Sequence, residues 1–476
     1  MPADGGRDAE SGKDHAVTTI RIISPVDGSV YAERPVAADS ELDRAVVRAR
    51  AAQADWARAP VAERVRLCLA ALDALLAMNV EIVPELAWQM GRPVRYGGEK
   101  RGVEERIRYM GSIAEASLAP VVPAEIAGFR RYVKREPLGL VFVVAPWNYP
   151  YLTAVNSIFP ALMAGNAVLL KHASQTLLVG ERFQAAFDDA GLPAGLFSNL
   201  VLSHDQTERL IASGRVDHVA FTGSVAGGRA IERAAAGTFA SLGLELGGKD
   251  PAYVRADAKL DHAIENLVDG AFYNSGQSCC GIERIYVHRE VYKPFVEGFV
   301  DLARQYRVGD PLDPDVTLGP MAQARFADHV REQIAEARRK GARAEIGSAV
   351  AGDRPGSPYI GPEVLTNVDH QMSVMREESF GPVVGIMPVH DDEEAVALMN
   401  DSAYGLTASV WTRDADEAAA IGDGIETGTV FMNRCDYLDP ALVWTGVKDT
   451  GRGAALSRFG FEALTRPKSY HFRLGT

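Results

Sequence analysis

Three short segments carry side chains whose types suit covalent chemistry on an electrophilic carbon. Cys279 lies in NSGQSCCGIER (274–284), after a helical pattern and a Gly-Gln turn, where backbone N–H groups and a helix end could favour its thiolate. Glu245 ends an apolar strand pattern in LELGGKDP (244–251), and partial burial raises the pKa of such a carboxylate towards the range of a general base. Asn148, in APWNYP, offers the amide donor of an oxyanion hole. Each also has an ordinary explanation: two buried thiols, a glutamate paired with a lysine, and an asparagine in a turn before a proline.

A fourth segment could hold a phosphate group. In FTGSVAGG (221–228) a strand pattern runs through a Gly-Ser turn into a helical pattern, and free N–H groups at such a junction can bind phosphate. The spacing of Gly223 and Gly228 is not that of the dinucleotide fingerprint GxGxxG, and many strand–helix turns have this composition. Lys171, at the end of the strand pattern AVLLK, adds a cation at the same sheet edge, although a lysine there is usually a solvated strand end.

Alternating strand and helix patterns position these residues. Apolar residues recur at helical spacing between about 40 and 112. Strands are predicted at 138–145, 167–171, 196–202, 216–223 and 241–246, and in a second series near 251–256, 284–288, 383–389 and 429–433. Helical patterns separate them, which predicts parallel, helix-covered sheets that bind ligands at the carboxyl ends of their strands.

Two further segments have a different pattern. Residues 119–139 alternate in polarity and are interrupted by prolines, which predicts a projecting hairpin. Residues 468–474 alternate like an edge strand, which is a natural surface for pairing with a partner subunit.

Composition excludes several protein classes. The 476 residues suggest about three domains, and 47% hydrophobic with 24% charged residues is typical of a soluble globular protein. A net charge of −13 argues against a nucleic-acid or anionic membrane surface, and no apolar run approaches the ~18 residues of a membrane helix. Four cysteines are too few for a disulfide framework, which predicts free thiols in a reducing compartment. The first ~18 residues are polar without an apolar core; we expect them to be disordered, and we expect the protein to be cytoplasmic. No metal-binding motif is present, and no metal is expected.

Taken together, the motifs resemble one family. PWNYP, LLKHAS, FTGSVAGG, LELGGKDP, NSGQSCC, EESFGP and GVKDTGRG occur in the order found in the aldehyde dehydrogenase superfamily, the non-phosphorylating NAD(P)-dependent enzymes. The resemblance implies oxidation of an aldehyde to its acid through a thiohemiacetal and a thioester on Cys279. It implies that Asn148 and the Cys279 N–H donate hydrogen bonds to the oxyanion. It also implies that Glu245 activates the water that hydrolyses the thioester.

The resemblance also assigns a cofactor site and a substrate pocket. Lys171 and Glu378 would bind the ribose, and Phe380 would lie beside the nicotinamide riboside. The remaining cofactor residues would be Trp147, Gly223, Ser224, Gly228 and Gly247. NAD is the expected cofactor, and NADP stays possible because Ser174 stands where many NAD-preferring members carry an acid that would repel a 2′-phosphate. The substrate pocket would be lined by Tyr149, Asn156, Tyr273, Ser278, Cys280 and Cys435.

Ser174 is one departure from the family pattern, and two others stand out. Glu283 occupies a position where small residues are common, beside Arg284, and its role is unexplained beyond a possible ion pair. VWTG (443–446) replaces the usual PFGG, so the resemblance does not predict the shape of the entrance to the substrate pocket. For Cys280, a reversible oxidation that protects or inactivates Cys279 competes with a simple role as a small pocket-lining residue.

The implied architecture is α/β, with a Rossmann-like parallel-sheet cofactor domain, an α/β catalytic domain and a small β element for oligomerisation. The cofactor domain would comprise 1–117 and 138–246, the catalytic domain 247–445, and the bridging element 118–137 with 463–476. A homodimer or homotetramer is expected. Two alternatives remain: an enzyme that transfers the acyl group to coenzyme A, and a catalytically silent structural relative. The presence of Glu245 argues against the first, and the joint presence of Cys279, Glu245 and Asn148 against the second.

Overall fold

The computed structural model describes residues 18–347, 350 and 352–475. The prediction of disorder at the start of the chain falls on residues 1–17 and so lies outside this range. The helices are α1 (Asp39–Trp56), α2 (Val61–Ala77), α3 (Asn79–Met90), α4 (Lys100–Leu118), α5 (Pro150–Ala164), α6 (Leu177–Asp189), α7 (His204–Ala212), α8 (Val225–Ala235), α9 (Leu260–Phe272), α10 (Arg289–Ala303), α11 (Ala324–Arg339), α12 (Ser373–Arg376), α13 (Asp392–Asn400), α14 (Ala415–Asp423) and α15 (Ser457–Ala463). The strands are β1 (Thr19–Ile23), β2 (Val30–Pro35), β3 (Phe129–Pro137), β4 (Leu140–Val144), β5 (Ala167–Lys171), β6 (Phe197–Asn199), β7 (His218–Thr222), β8 (Ser241–Glu245), β9 (Asp250–Val254), β10 (Ile282–His288), β11 (Arg343–Ala344), β12 (Glu363–Thr366), β13 (Val383–Val389), β14 (Tyr404–Gly405), β15 (Thr407–Trp411), β16 (Thr429–Met432), β17 (Val447–Lys448), β18 (Gly451–Arg452) and β19 (Thr465–Arg473).

The first sheet contains the predicted first series of strands. Its order is β18-β8-β7-β4-β5-β6, with β4 to β8 parallel and β18 antiparallel to β8. From β4 the chain proceeds outwards through β5 and β6, and then returns to β7 and β8 on the other side. The strand order therefore reverses between β4 and β7, and ligands bind at such a switch point in open α/β sheets.

The second sheet has the order β11-β12-β13-β10-β9-β15-β16 and is parallel apart from β11. The sequence predicted β9, β10, β13 and β16. It did not predict β11, β12 or β15. In β15, TASVW contains a threonine and a serine, although all five of its residues are buried. Apolar side chains on both faces pack against the covering helices, so the predicted α/β class with parallel, helix-covered sheets is confirmed.

Strand β3 does not form the expected local hairpin. It pairs antiparallel with β19 over nine residue pairs, from Phe129 with Arg473 to Pro137 with Thr465, and Tyr132 stacks on Tyr470. Only one bridge, between Val121 and Val133, remains of the hairpin predicted within 119–139. Prolines in the segment before β3 interrupt the donors that a second strand there would need.

By length and composition, no single helix in the described part of the chain could cross a membrane. The consecutive helices α2 and α3 pass the same criterion only together, and they are bent by 67° at the break between them.

Candidate active site

A large cavity of about 680 Å³ opens where the order of the first sheet reverses. Its walls come from the ends of β4, β5, β7 and β8 and from the segment before β13. Predicted residues that line it are Trp147, Asn148, Lys171, Gly223, Ser224, Glu245, Gly247, Cys279, Glu378 and Phe380. The structure thus brings together most of the predicted cofactor residues and the three predicted catalytic residues.

Two predicted cofactor residues lie outside this lining. The Cα of Gly228 faces Leu246, and an added Cβ would be 2.6 Å from the Leu246 side chain, so this glycine serves close packing of α8 on β8. Ser174 begins a short 3₁₀ helix (Ser174–Thr176) three residues after the end of β5.

The Gly-Ser turn offers fewer free donors than the sequence suggested. The Gly223 N–H donates to the Glu245 carbonyl at 3.0 Å, and Ser224 caps α8 by accepting from the Gly227 N–H at 3.2 Å. Because these N–H groups already have partners, they do not face the cavity as phosphate donors.

Lys171 is an unpaired cation in the cavity wall. Its side chain is 5% exposed, and among the described residues it has no ion-pair or hydrogen-bond partner for its ammonium group. Burial lowers the pKa of Lys171 to about 8. A buried cation without a partner gains from a ligand that supplies hydroxyl or phosphate oxygens.

Glu378 also lines this cavity. Its Oε1 accepts a hydrogen bond from the Gly248 N–H at 3.1 Å, and a Cβ on Gly247 would come within 2.4 Å of its carboxylate oxygens. Burial, with the nearby negative charge of Glu283, raises the pKa of Glu378 to about 8. A side chain at position 247 would therefore displace this carboxylate.

Aromatic side chains that the sequence did not single out complete the wall. Trp147 stacks on Phe326 with ring centroids 5.3 Å apart and meets Phe380 edge to face at 5.6 Å. Arg325, Phe326 and His329 come from the first turns of α11, which is distant in sequence from every motif.

A second cavity of about 280 Å³ adjoins the first. Four residues line both cavities: Thr222, Glu245, Leu246 and Cys279. The thiol and the carboxylate that could do chemistry therefore lie at the junction between two separate ligand spaces.

The turn that carries Cys279 is held by hydrogen bonds on both sides. Asn274 and Ser275 adopt left-handed φ values of 55° and 58°, and the Ser275 hydroxyl donates to the Gly319 carbonyl at 2.9 Å. The Gln277 side chain donates to the Asn274 carbonyl at 3.0 Å and accepts from the Ala322 N–H at 2.8 Å. These contacts fix the backbone just before Cys279.

Asn148 is fixed against the same turn. Its Nδ2 donates to the Gln277 carbonyl at 3.3 Å, and its own carbonyl accepts from Arg92 Nη2 at 2.5 Å and from Asn274 Nδ2 at 3.2 Å. Arg92 is itself paired with Glu99. Within the described residues the second amide hydrogen of Asn148 has no partner, so it remains available to a ligand in the cavity.

The surroundings of Glu245 raise the pKa of its carboxyl group above the usual value for a glutamate. Thr222 Oγ1 donates to its Oε2 at 3.0 Å. Burial raises the pKa of Glu245 to about 7, and the Thr222 hydrogen bond and the charge of Arg106 partly offset this rise. A carboxylate with this pKa can accept and release a proton near neutral pH.

Five of the six predicted pocket residues line the second cavity: Tyr149, Asn156, Tyr273, Ser278 and Cys280. Cys435 does not. Its Sγ packs against Gly270 of α9 and donates to the Asn266 carbonyl at 3.5 Å, while its neighbour Asp436, at φ 51°, lines the cavity instead. The Cys280 thiol donates to Asp436 Oδ1 at 2.9 Å. Burial raises the pKa of Asp436 to about 7.

Arg106 is the main pocket residue that sequence reasoning missed. It lies on the buried face of α4 with Val103, Ile107 and Met110, and it is the only cation in the lining of the second cavity among the described residues. Its Nη1 donates to the Leu152 carbonyl at 2.7 Å and to Asn156 Oδ1 at 3.2 Å, and no described carboxylate pairs with it. An arginine on the apolar face of a helical pattern was the signal that could have identified it.

Comparisons with known proteins agree with this geometry. The model of the aldehyde dehydrogenase family matches residues 12–470. The NADP-dependent succinate-semialdehyde dehydrogenase 1 of Mycobacterium tuberculosis is 35% identical over 453 residues, which cover 94% of this chain and 99% of that protein. An aldehyde dehydrogenase of Paenarthrobacter nicotinovorans is 35% identical over 456 residues, with 94% and 99% covered.

Solved structures show the same fold. The crystal structure of PnpE from a Pseudomonas species, in complex with nicotinamide adenine dinucleotide, superposes with a TM-score of 0.91 at 30% identity and covers 96% of this chain and 95% of that one. An aldehyde dehydrogenase from Brucella melitensis biovar abortus gives a TM-score of 0.92 at 29% identity, with 96% and 95% covered. The resemblance drawn from the motifs is confirmed, and the chain belongs to the aldehyde dehydrogenase family.

Proposed function

We propose that this protein oxidises an aldehyde to its carboxylic acid with NAD or NADP, using Cys279 as nucleophile, Asn148 as oxyanion donor and Glu245 as general base. The observation that carries the proposal is the junction of the two cavities: Cys279 and Glu245 line both, so an aldehyde in one space can react beside a cofactor in the other. Asn148 lines the larger cavity, with one amide hydrogen free within the described residues.

The chain's own residues account for the formation and the hydrolysis of the thioester, apart from the hydride acceptor. The Cys279 thiolate attacks the aldehyde carbon and forms a thiohemiacetal, whose oxyanion accepts hydrogen bonds from Asn148 Nδ2 and the Cys279 N–H. Bound NAD(P) supplies the acceptor for the hydride that leaves this carbon. Glu245 then takes a proton from water, the hydroxide attacks the resulting thioester, and the acid leaves while the Cys279 thiolate is released.

The larger cavity fits a dinucleotide. Lys171 supplies a buried cation without a partner among the described residues, and Glu378 supplies a carboxyl group in the lining of the same cavity. Both groups suit the hydroxyls of a ribose. Trp147 and Phe380 supply apolar walls. The expectation of NAD, with NADP possible, agrees with relatives described as NADP-dependent and with a structural neighbour that contains NAD. Ser174 places no negative charge after Lys171, so both cofactors are proposed.

The substrate class follows from Arg106 and from the relatives. Arg106 is a buried guanidinium that forms no direct ion pair with a described carboxylate, although the charges of Glu99 and Glu245 act on it from further away. A carboxylate on the substrate would supply a direct ion pair. Curated relatives are named succinate-semialdehyde dehydrogenases. We therefore propose a short aldehyde with a carboxylate at its far end, with succinate semialdehyde as the first to be tested.

A Cys279→Ser variant tests the central assignment. Wild type is assayed with a panel of aldehydes and both cofactors by the absorbance of the reduced nicotinamide. We expect turnover with at least one pair, and its loss in the variant while cofactor binding is kept. Wild-type turnover in Cys279→Ser would contradict the proposal. Product analysis with and without coenzyme A separates hydrolysis from acyl transfer: a coenzyme A thioester as the product would favour the alternative enzyme.

The domain division and the assembly remain proposals. The two-stranded sheet of β3 and β19 leaves much of its surface exposed, including Phe472 at 45%. We propose that this element pairs with a partner copy in a homodimer or homotetramer. Light scattering of a chain truncated after residue 466 tests this, and an unchanged mass would contradict the role of β19.

A further inference from the structure

Glu283, the residue that departs from the family pattern, lies in β10 beneath the larger cavity and is 4% exposed. Its Oε2 accepts hydrogen bonds from Lys249 Nζ at 2.5 Å and from the Ser379 N–H at 2.8 Å. Its Oε1 accepts from the Phe380 N–H at 2.9 Å. Both oxygens are therefore used, and two of the three donors belong to the backbone of one short segment.

That segment connects α12 to β13 and contributes to the wall of the larger cavity. Glu378, Ser379 and Phe380 all line the cavity. Phe380 has a left-handed φ of 48°, a conformation that a residue with a bulky side chain adopts only when its surroundings hold it there. The carboxylate of Glu283 supplies that constraint, because it accepts hydrogen bonds from the successive N–H groups of Ser379 and Phe380.

A second contact holds the same segment from the neighbouring strand connection. Lys249 is fully buried and donates to both the Glu283 carboxylate and the Ser379 hydroxyl, at 2.5 and 2.9 Å. The adjacent Gly248 N–H donates to Glu378 Oε1. Residues between β8 and β9 and at the start of β10 thus hold the 378–380 segment through one connected set of hydrogen bonds.

We propose that Glu283 is a positioning residue for cofactor binding, because its carboxylate sets the backbone of 379–380 so that Glu378 and Phe380 face the cavity. The proposal rests on the proposed function, since it takes the ligand of this cavity to be NAD(P). Glu283 does not line the cavity and acts only through the segment.

The test separates this role from simple pairing with Lys249. A Glu283→Gln variant alone leaves a buried ammonium without its counter-charge and is expected to unfold at a lower temperature. Lys249→Met alone serves as the reference, because it loses the hydrogen bond from Lys249 to Ser379 but keeps both acceptor oxygens of Glu283. The double variant Lys249→Met/Glu283→Gln removes both charges of the pair. It still lacks one of the two acceptor oxygens that hold the Ser379 and Phe380 N–H groups.

A matched control exists in β12. The carboxylate of Glu363 also accepts from two successive backbone N–H groups, Ile346 at 2.9 Å and Gly347 at 3.0 Å, and it does not line the larger cavity. Glu363→Gln therefore makes the same chemical change in another strand of the same sheet, at a carboxylate that accepts from neither the Ser379 nor the Phe380 N–H.

Dissociation constants for NAD and NADP are measured directly by quenching of tryptophan fluorescence, with thermal unfolding of each variant. We expect the double variant to unfold near the wild-type temperature, to bind the cofactor at least tenfold more weakly than Lys249→Met does, and to keep its KM for the aldehyde. Glu363→Gln should bind the cofactor as wild type does. An affinity in the double variant equal to that of Lys249→Met would overturn the positioning role, as would equal weakening in Glu363→Gln. A wild-type protein that binds neither cofactor would instead refute the proposed function.

Discussion

Thr222 and Glu245 face each other across the β7–β8 ladder, and the Thr222 hydroxyl donates to Glu245 Oε2 at 3.0 Å. Because the two residues are direct partners in the strand register, the sheet itself sets where the carboxylate lies. A one-residue slip would turn Glu245 to the other face of the sheet. The proposed general base is thus positioned by strand pairing.

Replacement of Glu245 by Gln should separate the two halves of the reaction. The amide cannot take a proton from water, so thioester hydrolysis slows by roughly 10²–10⁴-fold while the first hydride transfer proceeds. Stopped-flow absorbance should show a burst of reduced cofactor close to one per site, followed by slow turnover. A variant that shows no burst because hydride transfer has been lost would contradict a role confined to hydrolysis.

Replacement of Thr222 by Val should move the pH dependence. Glu245 acts as a base only when deprotonated, so in wild type the rate of thioester hydrolysis rises with pH around the pKa of about 7. The Thr222 hydrogen bond favours the charged carboxylate, and its removal raises this pKa, so the rise should shift to higher pH. Thr222→Ser keeps the hydroxyl and serves as the control. An unshifted profile in Thr222→Val would argue that the titrating group is not Glu245.

Replacement of Asn148 by Ala removes the proposed oxyanion donor. Loss of one such donor typically costs about 10²–10³-fold in turnover, and the effect should appear in the burst phase itself because the oxyanion forms before hydride transfer. The thermal unfolding of the variant provides the control for folding, since the backbone carbonyl that holds Arg92 is kept. A wild-type burst rate in Asn148→Ala would exclude this role.

Arg106 should matter only for aldehydes with a distal carboxylate. A hydrogen bond to a charged group contributes about 1.5–3 kcal/mol, so Arg106→Met should raise the KM for succinate semialdehyde by about 10- to 100-fold. Butanal, which has the same length and no carboxylate, provides the comparison. Assays at pH 8.5 keep Glu245 deprotonated, so that the loss of the neighbouring positive charge does not obscure the result. Arg106→Lys keeps a positive charge and should be less affected, and equal losses for both aldehydes would contradict the substrate class.

The parts of the site carried by short strands were predictable from sequence. Lys171 and Glu245 end apolar runs, Cys279 follows a helical pattern, and the parallel sheet then brings strand ends to one edge. The local pattern suffices there because it shows where each strand ends. The roles of these residues remain predictions until they are tested.

Residues whose placement depends on distant contacts were not predictable. Arg106 is held by the Leu152 carbonyl and by Asn156, which belong to a different helix. Asp436, and not the predicted Cys435, lines the second cavity. Asp436 adopts a left-handed backbone conformation that the sequence does not indicate. The Gly223 N–H is occupied by a cross-strand bond, which only the register of β8 determines. The carboxylate of Glu283 accepts a hydrogen bond from a segment nearly one hundred residues later in the chain.

The pairing of β3 with β19 has a consequence for synthesis. Thr465 pairs with Pro137, so the partner of β3 leaves the ribosome more than three hundred residues after β3 itself. Throughout that interval the nascent chain carries β3 with an unpaired edge. Such an edge is a template for pairing with another chain, so slow translation or crowded polysomes should favour misassembly between nascent copies at this strand before any at the catalytic site.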